Sequence, residues 1–345
     1  MHWEKQSGRY PRDPRLGHRP GVSFCPTRAN VKESSQSLID LYTTEDGYIA
    51  LSDTNTKEHN WREGKNVVIL GGSVAMGLGA SSNENTAAAQ IEKGLTGMGL
   101  KGYRVVNAAC GAYCSWQEVI RFTLEISNKK PDIVISISGW NDFVHSSIGD
   151  RYTGEWYTNH DRSIDDLSDM LIGLQQPISI KRLIKERLKR NTSYLNWYKW
   201  KLKRSGKDFT TGEIRWGYDE ATFVFKPGAA KNYVHNMLQI KALTEAFGGK
   251  FLCLIQPELR PVKTDYPLPS QINLERTIRH HNTFLESKEK YFKELAEELR
   301  EDVQEFSYSK LSNPEYFVDH CHLNDRGQKL LANEVIELLQ NNQMV

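Results

Sequence analysis

Four consecutive apolar residues, Val67, Val68, Ile69 and Leu70, run straight into Gly71-Gly72-Ser73. So short an unbroken run has no polar side to turn to solvent, which suits a strand covered on both faces, as in a parallel sheet. The glycines allow a sharp turn at the strand's carboxyl end, the edge at which open α/β sheets carry their ligands. A serine lifted onto that edge is a nucleophile if a base reaches it. The plain alternative, a turn serine that caps the next helix, is the favoured reading of this motif taken alone. A phosphate loop fits poorly, because the segment lacks both a Gly-Lys-Ser/Thr ending and the Gly-x-Gly-x-x-Gly spacing.

The pattern continues downstream. Strands are predicted over Val67 to Leu70, Arg104 to Ala108, Ile133 to Ser138, Phe251 to Ile255 and Val303 to Ser307. Helical spacing covers Asn83 to Gly97, Trp116 to Asn128, Lys231 to Phe247, Ile272 to Arg300 and Asp325 to Gln340. Such alternation predicts an α/β fold, a parallel sheet with helices on both faces joined by right-handed crossovers. Residues 1 to about 35 are rich in Arg, Pro, Gly and Ser and read as an irregular arm. Ser37 to Tyr42 and Tyr48 to Leu51 read as edge strands or a small docking helix. The domain proper is therefore set at 66–345, preceded by an arm and docking elements at 1–65. The stretch of about 143–230 is too long for a plain loop and reads as an insertion with its own helices.

Within that insertion, Ile178 to Arg204 carries ten Lys or Arg and a single Glu. Its apolar positions repeat at roughly helical spacing, which predicts basic amphipathic helices. They would serve as a solvated cap face, a contact for anionic substrate, or a weak contact with an anionic surface. Over the whole chain of 345 residues, 45 Lys plus Arg stand against 43 Asp plus Glu. A net charge of +2 argues against a nucleic-acid partner. No apolar run reaches membrane-spanning length. Five cysteines (Cys25, Cys110, Cys114, Cys253, Cys321), an odd number without Cys-x-x-Cys spacing, point to a reducing compartment. The expectation is a cytoplasmic location.

Four strand-end segments carry the chemistry. The first ends at Ser73, the second at Gly111, and the third in Gly139-Trp140-Asn141-Asp142. Before the last helix comes Asp319-His320-Cys321-His322. Together they supply a hydroxyl, a backbone amide, a carboxamide and an imidazole with a carboxylate three residues earlier. Acyl transfer needs that inventory: a base for the hydroxyl, a carboxylate for the base, and donors aimed at the oxygen that becomes negative. Each residue also has a structural explanation. Asn141 and Asp142 suit a turn, Gly111 an ordinary strand end, and His322 a surface position with Asn324 as the true helix cap. His320 is the competing base but lacks the Asp-x-x-His spacing. A metal site at His320 and His322 is rejected for want of a third ligand.

These four blocks, in this order, resemble the SGNH hydrolase family of GDSL-type esterases and lipases. The resemblance implies a three-layer α/β/α sandwich with a five-stranded parallel sheet, and no cofactor or metal. It assigns the nucleophile to Ser73, the base to His322 and its orienting acid to Asp319. It assigns the oxyanion hole to the amides of Ser73 and Gly111 and the side chain of Asn141. The family's first block usually reads Gly-Asp-Ser, and here Gly72 stands in place of the Asp. The Gly-Trp-Asn-Asp form of the third block resembles members associated with bacterial surface polysaccharides. Hence Trp140 and Asp142 are substrate-binding candidates, and the expected activity is removal of a small acyl group, chiefly acetyl, from a carbohydrate. Five of the eight tryptophans (Trp140, Trp156, Trp197, Trp200, Trp216) fall in or beside the insertion, as a sugar-facing wall or as its own core. The alternatives are an acyltransferase using the same site, or a glycan-binding or anionic-surface module on a hydrolase scaffold.

Overall fold

The computed structural model describes residues 12–13, 17–18, 41–44, 46–52, 61, 63–147, 225–258, 281–298, 303–305, 314–318 and 321–345. Five parallel strands form one sheet: β1 (Lys65–Gly71), β2 (Tyr103–Asn107), β3 (Ile133–Ser138), β4 (Lys250–Ile255) and β5 (Val303–Glu305). Their spatial order is β2-β1-β3-β4-β5. The helices are α1 (Ser73–Met76), α2 (Ala87–Gly97), α3 (Ser115–Arg121), α4 (Trp140–Ser147), α5 (Ala229–Ala246), α6 (His281–Glu298) and α7 (Asp325–Asn341). None is long and apolar enough to cross a membrane.

Residues next to each other on a strand point to opposite faces, so β1 is buried twice over. Val67 and Ile69 pack with Ile91 and Leu95 of α2 and with Leu331 and Val335 of α7. Val68 and Leu70 pack with Phe143 of α4, Tyr233 and Met237 of α5, and Tyr291 of α6. This is the three-layer sandwich with a five-stranded parallel sheet, and the continuous apolar run is explained by helices on both sides. The strand order reverses at β1, where the chain goes out to β2 and returns past β1 to β3. The crevice between the carboxyl ends of β1 and β3 is therefore the topological switch point, where such sheets bind ligands.

The stretch of about 143–230 is not peripheral at its ends: Phe143 and Val144 are buried on α4 in the second core cluster. At its other end Ala229 and Ala230 are already in that core. Residues 148–224, with the basic stretch from Ile178 to Arg204, lie outside the described residues. Nor is the segment before β1 wholly peripheral. Thr43 and Ile49 face each other in a tight hairpin, and the Ile49 amide donates to the Asn107 carbonyl of β2 at 2.9 Å. Arg121, fully buried, donates to the carbonyls of Gly47 (3.0 Å) and Ala108 (2.6 Å). The buried Asn83 side chain accepts from the Tyr42 amide and donates to the carbonyls of Tyr42 and Ala50. The described residues of the 41–52 segment thus cover the outer edge of β2, with Leu41, Tyr48, Ile49 and Ala50 buried in the core.

Candidate active site

At the end of β1, Gly71 takes φ 138°, and a side chain there would strike the Ile137 carbonyl of β3. The chain turns at once into α1, with Ser73 as its first residue. Asn107, buried at the end of β2, donates its amide to the carbonyls of Ala75 (3.2 Å) and Met76 (3.3 Å). It therefore supplies the acceptors at the end of this one-turn helix with partners they could not find within it.

Ser73 and His322 meet. His322 Nε2 lies 2.8 Å from Ser73 Oγ across 249 residues of sequence, and both side chains are half-buried. Nδ1 of the same ring is 3.7 Å from Cys321 Sγ. The loop that presents His322 is tied down on each side. Upstream, Phe317 bridges to Leu323, and the Val318 amide donates to the His322 carbonyl at 2.9 Å. Downstream, the Asn324 side chain accepts from the amides of Arg326 and Gly327, so it caps α7 as the sequence suggested. Asp325 then accepts from the Ser81 amide (2.7 Å) and hydroxyl (2.5 Å), joining this loop to the segment after α1. Asp319 and His320 lie outside the described residues.

The second and third blocks reach the same place. The Cys110 amide donates to the Gly71 carbonyl at 3.1 Å, which sets the Gly111 turn beside β1. Within that turn Ala112 adopts φ 62°, a left-handed backbone rare for a residue with a side chain and a mark of local strain. Asn141 Nδ2 donates to the Tyr113 carbonyl at 2.9 Å. Asp142, next in sequence, turns the other way. Its carboxylate accepts from the Ser115 amide (3.0 Å) and hydroxyl (2.5 Å), and Asn236 of α5 donates to that hydroxyl at 2.8 Å. Asp142 is fully buried, so its expected contact with substrate is corrected to a structural tie between α3, α4 and α5. Trp140 is likewise buried. Its ring packs on Phe143 at 5.5 Å, with Lys288 Nζ 5.6 Å above it, so it offers no wall to a sugar. Trp156, Trp197, Trp200 and Trp216 lie outside the described residues.

A polar layer lies beneath. Glu118 accepts from Ser136 Oγ at 2.6 Å, Ser136 contacts Ser138, and Ser138 donates to Tyr233 OH at 3.4 Å. Burial drives the Glu118 carboxyl from 4.5 up to about 8, with the charge of Asp142 adding to the rise and hydrogen bonding from Ser136 and Ser138 opposing it. Burial also raises Asp142 from 3.8 to about 6, against the pull of Ser115. The sign of the consequence is fixed. An unfolded chain releases the Glu118 proton near 4.5, whereas the native chain holds it to about 8, so the native state binds more protons between those values. Stability should therefore fall as pH rises through that window and level off above it, by roughly 1.4 kcal/mol for each pH unit over which the counts differ. Asp142 adds a slope of the same sign between about 3.8 and 6. Urea denaturation at pH 5.5 and 8.5 measures the decline, and Glu118→Gln should remove most of it.

Among the described residues, no three His, Cys, Asp or Glu side chains converge as a metal cage. Sequence reasoning overlooked Asn107, Ser115 and Asn236. A polar Asn107 inside an otherwise apolar strand was the available signal, because buried polar side chains almost always have a partner. Ser115 and Asn236 left no such trace.

No protein-family model matches the sequence, and no curated protein matches it either. Among solved structures, the chain is similar to TesA, at 14% identity over 81% of this chain and 100% of the other, with a TM-score of 0.43. A GDSL-like lipase from Bacteroides thetaiotaomicron matches at 12% identity over 81% and 89% of the two chains, with a TM-score of 0.39. A mutant of an acetyl-xylooligosaccharide esterase from Geobacillus Stearmophilus matches at 12% identity over 80% and 95%, with a TM-score of 0.40. These are distant likenesses, and the chemistry of the site is read from its own atoms.

Proposed function

We propose that this chain is a serine esterase of the SGNH type, acting on small acyl esters. His322 Nε2 takes the Ser73 proton as Oγ attacks the ester carbonyl. The alcohol then leaves with that proton, and water, activated by the same imidazole, releases the acid from Ser73. The amides of Ser73 and Gly111 and the Asn141 side chain are assigned to the developing oxyanion, and Asp319 to orienting the imidazole. This chemistry calls for no cofactor.

One observation carries the reading: a hydroxyl and an imidazole 249 residues apart share a 2.8 Å contact, half-open to solvent, at the switch point of the sheet. Packing alone gives no reason for such a pair, since a half-exposed hydrogen bond between side chains adds little to stability. For the substrate, the support lies in composition. The segment from Ile178 to Arg204 is basic and polar, with no obvious large apolar groove for a long acyl chain, and the chain carries four tryptophans between 156 and 216, a residue type that stacks on sugar faces. The substrate class assigned is an O-acetylated saccharide.

A fluorophosphonate probe should label the protein at Ser73, as read by mass spectrometry of the modified peptide. Acetate should be released from an acetylated saccharide faster than long-chain acid is released from an aryl ester. Absence of labelling with no turnover on any ester would leave a binding module on a hydrolase scaffold. Acetate release that gives way to acetylated product when a sugar acceptor is added would mark an acyltransferase. Good activity on long acyl esters alone would overturn the substrate class.

A further inference from the structure

The residue before the nucleophile has no side chain, and the space a side chain would need is already taken. A Cβ built on Gly72 lies 2.5 Å from Asn141 Nδ2, well inside van der Waals contact, whereas its next neighbour, the Tyr113 carbonyl oxygen, is at an ordinary 3.5 Å. The backbone does not demand glycine here. Gly72 has φ −87° and ψ −153°, extended values open to any residue. What demands it is the Asn141 carboxamide, which lodges between Gly72 and the Tyr113 carbonyl it binds at 2.9 Å.

We propose that Gly72 is a positioning residue: its missing side chain lets the Asn141 carboxamide lie directly against the backbone at the residue before Ser73. The proposal rests on the esterase reading, in which that carboxamide faces the oxyanion. It follows from what can and cannot move. Helix α4 cannot draw back, because the neighbouring Asp142 is pinned by the Ser115 amide and hydroxyl in a fully buried contact, with Asn236 holding Ser115 from α5. The turn that carries Tyr113 is stitched to β1 through the Cys110 amide. A side chain at position 72 therefore displaces the one soft element left, the Asn141 side chain, and turns its amide away from both Tyr113 and Ser73. An Asp in this place, as in the Gly-Asp-Ser form of the block, would need a different seat for the carboxamide. In this chain the two positions are matched.

The test is a cycle of Gly72→Ala, Asn141→Ala and the double variant, run beside Ser73→Ala on a short-chain aryl ester. Gly72→Ala should lower kcat by about 10- to 100-fold with KM changed less than about threefold, as expected when a donor acting in the transition state is misaligned. In the Asn141→Ala background the same substitution should change kcat by less than about twofold, because the added methyl then has only the Tyr113 carbonyl oxygen near it, at an ordinary 3.5 Å. Wild-type kcat for Gly72→Ala, or an equal loss in both backgrounds, overturns the proposal. Should Gly72→Ala alone fail to fold, the double variant decides: a soluble double with the thermal midpoint of Asn141→Ala supports the contact, and an equally misfolded one overturns it. Ser73→Ala keeps the two levels apart. Retained turnover there removes the esterase reading, whereas loss there with a fully active Gly72→Ala removes only the role of Gly72.

Discussion

Replacing Ser73 with alanine is expected to lower kcat on a short-chain aryl ester by about 10⁴- to 10⁶-fold. The methyl group that remains cannot form the acyl-enzyme, and whatever turnover survives comes from binding and from donors acting on water. His322→Ala should fall by a similar factor, since an unassisted serine hydroxyl is a poor nucleophile. The decisive quantity is the double variant. Two groups that share one proton act as a unit, so removing both should cost little more than removing either. Steady-state kinetics on the three proteins reads this directly. If the two losses multiply instead, the 2.8 Å contact is not the reacting pair and the mechanism is wrong. Thermal midpoints should move little, because both side chains are half-open to solvent.

The second large effect belongs to Asn141. Its carboxamide keeps one N–H engaged with the Tyr113 carbonyl, which fixes the plane of the group; in the mechanism proposed above the other N–H donates to the developing oxyanion. Asn141→Ala should reduce kcat by about 10²- to 10³-fold, a barrier increase of roughly 3–4 kcal/mol, with KM nearly unchanged. The stability cost should stay near 1 kcal/mol, the worth of one hydrogen bond. A loss of the same size in KM rather than in kcat would mean that the group binds the substrate's ground state. Asn141→Asp is the sharper companion: it keeps the shape but places a carboxylate where negative charge develops, so it should be no better than alanine.

How much of this was legible from residues alone varied with the physics behind each element. β1 and β3 could be read because a run such as Ile133 to Ser138, buried at every position, has only one kind of surroundings that suits it. Ser73, Asn141 and His322 were legible as strand-end residues in a fixed order, and the structure brings Ser73 and His322 into contact. Asp142 and Trp140 were misread because sequence tells which residues share a helix but not which way each one faces. On α4 they are buried, while Asn141 between them is half-buried and binds the Tyr113 carbonyl. The helix predicted from Trp116 to Asn128 changes its winding at Phe122, passing through a π turn that keeps both Phe122 and Ile126 in the core. That change follows from packing against the sheet, which local spacing does not encode. Gly72 was read only as a departure from the Gly-Asp-Ser form of the block. Its actual significance depends on a carboxamide from 69 residues downstream in the chain, and no property of the motif itself records that.

Asn107 has two neighbours that sequence would never group together. Its carbonyl receives the hairpin at Ile49, and its side chain steadies the single turn that bears Ser73. What looks like a leading tail is therefore wired, through one asparagine, into the floor under the nucleophile. Trimming the protein to its sheet and helices would take away a strut rather than an ornament.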